Sequence, residues 1–160
     1  MGTETLKFKM ELYATMWDKP PHAEILLNGK SFYNDDVTGT EDTPTLLEFE
    51  HSLEDDKVFE LVINRTGKTM GQTVINEKGD ILKDQLLNIK SIHIDDIDIG
   101  ALVYEGVYTP IYPEPWATQQ RKSGETLAES FKNVTKIGHN GKWVFTFKTP
   151  FYLWLLENIY

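Results

Sequence analysis

The sequence contains no cysteine, and this absence removes several kinds of chemistry. Without thiols there is no disulfide framework, no thiolate zinc or iron–sulfur site and no cysteine nucleophile. There is also no apolar run near the roughly 18 residues that suggest a membrane-spanning helix. The segment Met1–Glu4 lacks the basic and apolar parts of a signal peptide. We therefore expect no membrane partner.

Positive charge is scarce. The 160 residues include 16 lysines and arginines against 25 aspartates and glutamates, which gives a formal net charge of -9. Binding to a phosphate backbone needs concentrated basic surface, so we expect no nucleic-acid partner. The length corresponds to about one domain, and we expect a single domain spanning residues 1–160.

Short segments of alternating polarity recur along the chain. In the segment 6–12, Leu6, Phe8, Met10 and Leu12 share one parity, which is typical of a half-buried strand. Asn28-Gly29 lies between two apolar segments and predicts a tight hairpin, because both residues accept positive φ. Further strands are predicted over residues 45–50, 58–63, 74–75, 86–94 and 143–147, the last with Trp143, Phe145 and Phe147 on its buried face.

Other local signals interrupt this pattern. A change of parity predicts a β-bulge near Lys90-Ser91, and a second change predicts a turn or bulge at Asp95-Asp96. The proline-rich segment 102–116 indicates a long loop or an edge strand. The capping-box spacing of segment 126–129 predicts one short helix. The apolar segment 151–160 is expected to be a last strand or a docking segment.

About eight to ten short strands and one short helix predict an all-β fold. The expected architecture is an antiparallel β-sandwich that is jelly-roll-like in topology. A closed barrel is the less favoured alternative. No internal repeat or heptad pattern favours a solenoid or a coiled coil.

Catalytic motifs are absent from the sequence. The chain has neither a nucleophile elbow nor a glycine-rich phosphate loop. We therefore expect a protein that is not an enzyme. A polysaccharide lyase or a hydrolase with two facing carboxylates remains the enzymatic alternative. The histidines are far apart in sequence and are interpreted as isolated side chains: His22, His51, His93 and His139.

Two groups of acidic residues lie in predicted loops. Asp95, Asp96 and Asp98 follow a strand, and a second group occupies residues 34–42. Carboxylate oxygens gathered on loops are the ligands that calcium prefers, so the first group is the candidate metal site and calcium the candidate cofactor. The alternative is that these residues form turns and keep the surface acidic.

Aromatic residues on the proline-rich segment are the most suggestive feature. Tyr104, Tyr108, Tyr112 and Trp116 form the candidate ligand-binding set. Flat rings on a stiff segment can stack against a sugar ring, while neighbouring polar groups bond to its hydroxyls. The alternative is that these rings cover the open edge of the sandwich. The secondary candidates are Tyr13, Trp17 and Tyr33.

Three segments together resemble a known family. The order of Glu24–Lys30, Phe59–Lys68 and Ile89–Ile97 is similar to that of small jelly-roll carbohydrate-binding modules, particularly the calcium-dependent xylan-binding type. The resemblance covers roughly residues 5–100. It implies a glycan partner, with calcium held by loop carboxylates and backbone carbonyls and bridging to sugar hydroxyls.

A different resemblance covers the C-terminal part. Residues 138–147 and 150–158 are similar to small β-rich proteins of large tailed phages, often of unassigned or virion role. The leading hypothesis is thus a non-catalytic carbohydrate-binding module, and the alternative is a structural or decoration protein of a phage particle. The alternative implies a homo-oligomer or virion neighbours contacted through Phe151, Trp154 and Tyr160. The expected location is the virion or the extracellular space.

Overall fold

The computed structural model describes residues 2–68, 73–78 and 80–159. About half of these residues lie in strands. The strands are β1 (Thr3–Thr15), β2 (His22–Leu27), β3 (Lys30–Asp36), β4 (Thr45–Glu54), β5 (Val58–Thr66), β6 (Val74–Ile75), β7 (Ile81–Lys83), β8 (Leu86–Ile94), β9 (Ile97–Asp98), β10 (Val107–Pro110), β11 (Lys136–Ile137) and β12 (Gly141–Lys148).

Two five-stranded sheets form the body of the protein. In the first, the order is β11-β8-β1-β4 with β9 paired to β8, and in the second it is β10-β12-β5-β2-β3. The strands β6 and β7 form a separate hairpin. Every pairing between described strands is antiparallel. The predicted all-β antiparallel sandwich is confirmed.

The hydrophobic core lies between the two sheets because each inner strand buries alternate residues. In β1 the buried side chains are those of the predicted parity, and in β12 they are Trp143, Phe145 and Phe147. The rings of Trp143 and Phe145 stack with centroids 6.2 Å apart. The alternation read from the sequence therefore identified the inward face of both strands.

Turn chemistry is also as predicted. Asn28 and Gly29 have φ values of 52° and 78° and join β2 to β3. Asp95 and Asp96 have φ values of 54° and 63° and join β8 to β9. In the β1–β8 pairing, Lys90 is the extra residue between the partners of Glu11 and Leu12, which confirms the predicted bulge.

The predicted helix over residues 126–129 is wrong, because that segment has no helical structure. Its backbone is used in tertiary contacts instead. Phe131 exchanges two backbone hydrogen bonds with Tyr108, and the Ala128 carbonyl accepts one from the Tyr112 hydroxyl at 2.6 Å. Nucleation of a short isolated helix is unfavourable in free energy. These tertiary contacts therefore outweigh the capping-box signal in the sequence. Within the described ranges the helices lie elsewhere: α1 (Trp116–Lys122), α2 (Phe151–Ile159) and a 3₁₀ helix (Gly100–Glu105).

The C-terminal segment is the helix α2, so the prediction of a last strand is also wrong. Phe151 is fully buried, and Trp154 packs its ring against Phe145 with centroids 5.8 Å apart. The Phe151 N–H donates to Glu4 Oε1 at 2.9 Å, which ties the helix to β1. Phe151 is therefore not free for a neighbour, as the interface prediction required. Trp154 is packed on one side and partly exposed, so a contact through it stays a prediction, and Tyr160 lies outside the described residues.

A candidate membrane span is also missing from the described chain, since neither α-helix combines the necessary length with the necessary apolar character.

Candidate functional site

The four aromatic residues predicted to bind a ligand do not form one surface. Tyr108 is only 4% exposed and belongs to the core, whereas Tyr104, on the 3₁₀ helix, is 46% exposed. Tyr112 and Trp116 are half-buried and lie together, with ring centroids 6.1 Å apart. The geometry therefore retains two members of the predicted set as neighbours, and the buried Tyr108 cannot stack on a ligand.

A third ring joins this pair. The His139 imidazole lies 5.3 Å from the Tyr112 centroid and 5.9 Å from the Trp116 centroid. We call these three side chains the aromatic cluster: Tyr112, Trp116 and His139. Because His139 is half-buried like the other two, the cluster combines ring faces with a polar imidazole at one position on the surface.

Three contacts hold the aromatic cluster in place. Ala117, the residue after Trp116, is 1% exposed and fixes the start of α1 against the body. The Ile111 N–H donates to the Asn140 carbonyl at 2.6 Å, which joins the end of β10 to the loop that carries His139. Tyr112 adds its hydroxyl bond to Ala128, so the backbone on both sides of the cluster is fixed.

Tyr108 supports the cluster from below. Its hydroxyl donates to the His139 carbonyl at 2.7 Å and accepts from the His139 N–H at 3.0 Å. Burial raises the pKa of Tyr108 to about 12, so this hydroxyl keeps its proton at physiological pH. The buried tyrosine thus positions His139, although it does not itself reach the surface.

Beneath the His139 loop, an arginine joins the two sheets. Arg65, on β5, is 0% exposed. Its guanidinium donates to the Ile137 carbonyl at 2.6 Å and to the carbonyl and side-chain oxygens of Gln85 at 2.8 and 2.6 Å. Among the described residues its Nε has no hydrogen-bond partner. Burial lowers the pKa of Arg65 to about 10, so it remains charged at neutral pH.

A lysine–aspartate pair lies beside Arg65. The Lys68 Nζ is 2.8 Å from Asp84 Oδ1 and also donates to the Gly138 carbonyl. Burial lowers the pKa of Lys68, and its bond to Asp84 offsets part of that effect. Burial alone would raise the pKa of Asp84, but hydrogen bonds from Lys68, Thr73 and a backbone N–H lower it overall. We call these four residues the polar plug: Arg65, Lys68, Asp84 and Gln85.

The polar plug acts electrostatically on the aromatic cluster. The pKa of His139 is lowered, first by burial and then by the positive charge of Lys68 and Arg65, which exceeds the opposing effect of Asp84. His139 is therefore neutral at physiological pH and able both to donate and to accept a hydrogen bond.

Sequence reasoning missed His139 and the polar plug. The sequence interpretation of His139 as isolated rests on its distance from the other histidines, and its ring partners are also more than twenty positions away in sequence. Arg65 did give a signal: it continues the buried parity of Phe59, Leu61 and Ile63 in β5. A cation at a buried position of a strand indicates a tertiary partner.

The predicted metal ligands lie at the β8–β9 turn and on β9, and oxygens of two of them, Asp95 and Asp98, bond to the chain itself. Asp95 Oδ1 accepts from the Lys7 N–H at 3.0 Å, and Asp95 Oδ2 accepts from the Tyr152 hydroxyl at 2.8 Å. Asp98 Oδ1 accepts from the Gly100 N–H at 2.8 Å. Within the described ranges, no group of three or more histidine, aspartate and glutamate side chains is placed to hold a metal. The three residues do not fit a calcium ion, and calcium binding there stays a prediction from sequence.

The other acidic group and Trp17 are also engaged. His22 bonds to Asp36 at 3.0 Å and to Asn34 at 2.6 Å, and these bonds raise the pKa of His22. The Lys83 ammonium lies 3.6 Å from the centroid of the Trp17 ring, so one face of this 38% exposed ring is covered.

A groove of about 480 Å³ crosses the outer face of the second sheet. Strand register places Glu24, Asn64 and Lys142 in one row across it, next to an aliphatic row that includes Leu26 and Val62. Its one aromatic lining residue in the described chain is buried. The groove therefore lacks the ring faces that the aromatic cluster supplies.

Comparison with family models and with curated protein sequences gives no match. Among solved structures, the selenomethionine form of vCBM60, described as a calcium-dependent carbohydrate-binding module, is similar with a TM-score of 0.50 and 10% identity, over 88% of this chain and 89% of that chain. The complex of vCBM60 with galactobiose gives a TM-score of 0.49 and 10% identity, over 87% and 96%. The likeness to the first structure shows that the chain shares its β-sandwich fold.

Proposed function

We propose that the protein is a non-catalytic glycan-binding β-sandwich and that the aromatic cluster is its binding surface. The observation that carries this proposal is the fixed arrangement of Tyr112 and Trp116 beside His139, all half-buried. Rings held in this way lose little conformational entropy on binding, so most of the stacking free energy contributes to affinity.

Polar groups suited to sugar hydroxyls lie next to the rings. Gln119 and Gln120 follow Trp116 by three and four positions on α1, and side chains at that spacing share a helix face. The neutral His139 adds a donor and an acceptor. A sugar has an apolar face and a rim of hydroxyls, and this surface offers a complementary combination.

The fold supports the same class of function. The structure of vCBM60 at a TM-score of 0.50 is described as a carbohydrate-binding module, and its sandwich covers most of this chain. That description also names calcium. Since the carboxylates of the β8–β9 turn do not fit an ion, the proposed binding surface uses no metal there.

The proposal is tested by a glycan array followed by titration with a glycan that binds. We expect Trp116→Ala to weaken binding by about 2 kcal/mol, or roughly 30-fold, with little change in thermal stability. The matched control is Trp17→Ala, which removes a surface tryptophan elsewhere and should leave affinity unchanged. Equal loss in both variants, or no binding to any glycan, would contradict the proposal.

A second candidate is an assembly subunit such as the predicted phage decoration protein. The observation that favours it is the outer face of α2, where Tyr152, Leu153 and Leu156 are 48%, 60% and 55% exposed. Apolar side chains at this spacing form a continuous patch. Light scattering across a concentration series tests it: an assembly abolished by Leu153→Gln with Leu156→Gln supports this candidate, and a monomer at all concentrations contradicts it.

A further inference from the structure

Charge is distributed unevenly along this acidic chain. Residues 101–150 contain six lysines and arginines against four glutamates and no aspartate, although the whole chain has a net charge of -9. This segment carries every member of the aromatic cluster. The proposed binding surface therefore lies in the part of the chain with a positive balance.

The polar plug adds to this balance from below. It contains two cations, Arg65 and Lys68, and one carboxylate, Asp84, which pairs with Lys68. Arg65 bonds only to neutral oxygens, and its Nε is unpartnered in the part of the chain that the structure describes. One uncompensated charge is thus buried beneath the His139 loop, where screening by solvent is weak.

The helix that begins with Trp116 contributes two more cations. Arg121 and Lys122 are exposed in the last turn of α1. At about 1.5 Å of rise per residue, they lie about 8 Å along the helix from Trp116, which is within the Debye length of about 10 Å at 0.1 M salt. Two carboxylates flank the helix in sequence: Glu114, which accepts from the Thr118 hydroxyl at 2.5 Å, and Glu125, three residues after Lys122. Both offset part of this field.

We infer that the ligand of the aromatic cluster is an anionic glycan, one that carries a carboxylate or a sulfate on the sugar. This inference rests on the proposed function and deepens it. Stacking on Tyr112 and Trp116 does not distinguish neutral from charged sugars, whereas the field of Arg121, Lys122 and the buried Arg65 does. An acidic protein that binds an acidic polymer needs such a local reversal of charge.

The test compares four probes in two pairs, and the members of each pair share a backbone: an oligogalacturonate with its full methyl ester, and a sulfated galacto-oligosaccharide with its unsulfated neutral parent. In low salt we expect each anionic probe to bind about tenfold more tightly than its neutral counterpart, and this preference should shrink as salt is added. Comparison of the carboxylate pair with the sulfate pair identifies which anion is preferred.

Two double variants separate the local field from net charge. Arg121→Gln with Lys122→Gln should reduce the preference about fivefold. The control is Lys7→Gln with Lys9→Gln on β1 of the other sheet. It changes the net charge equally and should retain the preference for anionic probes. Equal binding of charged and neutral probes, or an equal loss of preference in both double variants, would overturn the inference while leaving glycan binding intact. Binding of none of the probes in the panel would overturn this inference, and a blank glycan array would overturn the proposed function as well.

Discussion

Two regions of the molecule were predicted from sequence to bind ligands, and the structure treats them differently. At the β8–β9 turn, both oxygens of Asp95 accept hydrogen bonds from the chain, one of them from the C-terminal helix. At the aromatic cluster, support comes through the backbone of His139 and the hydroxyl of Tyr112, and all three side chains remain partly exposed. A candidate residue is useful for binding when other groups fix it and its own functional surface remains open.

The comparison also separates two roles for charge. The carboxylate of Asp95 helps to dock α2, and so it stabilises the fold. The cations of the polar plug also join the two sheets, but they leave positive charge close to the proposed binding surface. The following predictions address each side of this contrast.

The largest expected effect is at Arg65. Arg65→Met would leave the Ile137 carbonyl and both Gln85 oxygens without their buried donor, and we expect the free energy of unfolding to fall by about 3–5 kcal/mol. Urea unfolding measures this free energy. The control Arg121→Met, at an exposed position, should change the free energy of unfolding by less than about 0.5 kcal/mol. A loss below about 1 kcal/mol at Arg65 would show that the polar plug does not hold the sheets together.

A smaller effect is expected at the β8–β9 turn. Tyr152→Phe removes the hydroxyl that donates to Asp95, and the free energy of unfolding should fall by about 0.5–1 kcal/mol. Tyr104→Phe is the matched control, since Tyr104 is similarly exposed and makes no such bond with the described residues. Identical stability of the two variants in urea would show that Asp95 does not help to dock α2.

The pH dependence of stability should distinguish His139 from His22. The pKa of His139 is lowered in the folded state, so below about pH 6.5 the unfolded chain binds more protons and acid destabilises the fold. The pKa of His22 is raised, so its contribution is complete below about pH 6.5 and is lost as pH rises through the folded value.

Urea unfolding of the wild type and of single variants between pH 5 and 7.5 measures how each histidine changes stability with pH. The stability of the wild type relative to His139→Gln should fall as the solution is acidified, and relative to His22→Gln it should rise. A difference from His139→Gln that rises on acidification would refute the electrostatic account of the aromatic cluster, and a difference from His22→Gln that falls would refute the account of His22.

The smallest expected effect is that of calcium. Each Asp95 oxygen already accepts one hydrogen bond, and among the described residues no group of three or more histidine, aspartate and glutamate side chains is placed to hold an ion. We expect the melting temperature in calcium to match that in chelator within error. Saturating calcium at ~100 times its dissociation constant would instead stabilise the fold by ~2.7 kcal/mol, and such a shift would restore the metal site predicted from sequence.

Much of the fold could be predicted from sequence because strand alternation and turn chemistry are local. The parity of Leu6 to Leu12, the Asn28-Gly29 turn and the bulge at Lys90 all depend on adjacent residues. The helix α2 was missed because a short apolar run suits a helix and a strand equally, and its docking through Glu4 is a contact across the chain.

The candidate site was only half predictable for the same reason. Tyr112 and Trp116 were found because they are four positions apart on a proline-stiffened segment. The long-range pairing of β10, β12 and β5 brings His139 and Arg65 close to this pair. A local sequence pattern does not show such pairing. Tyr108 was misassigned because aromatic spacing alone does not reveal that strand β10 turns this residue toward the core.

The most direct test of the binding surface is to record the indole N–H signals of the four tryptophans by NMR during titration with a glycan selected on the array. Trp116→Ala assigns the signal of Trp116 by its loss. The account predicts that ligand shifts the Trp116 signal and leaves those of Trp17, Trp143 and Trp154 in place. A saturable titration that moves only the Trp17 signal, or leaves Trp116 unmoved, would contradict it.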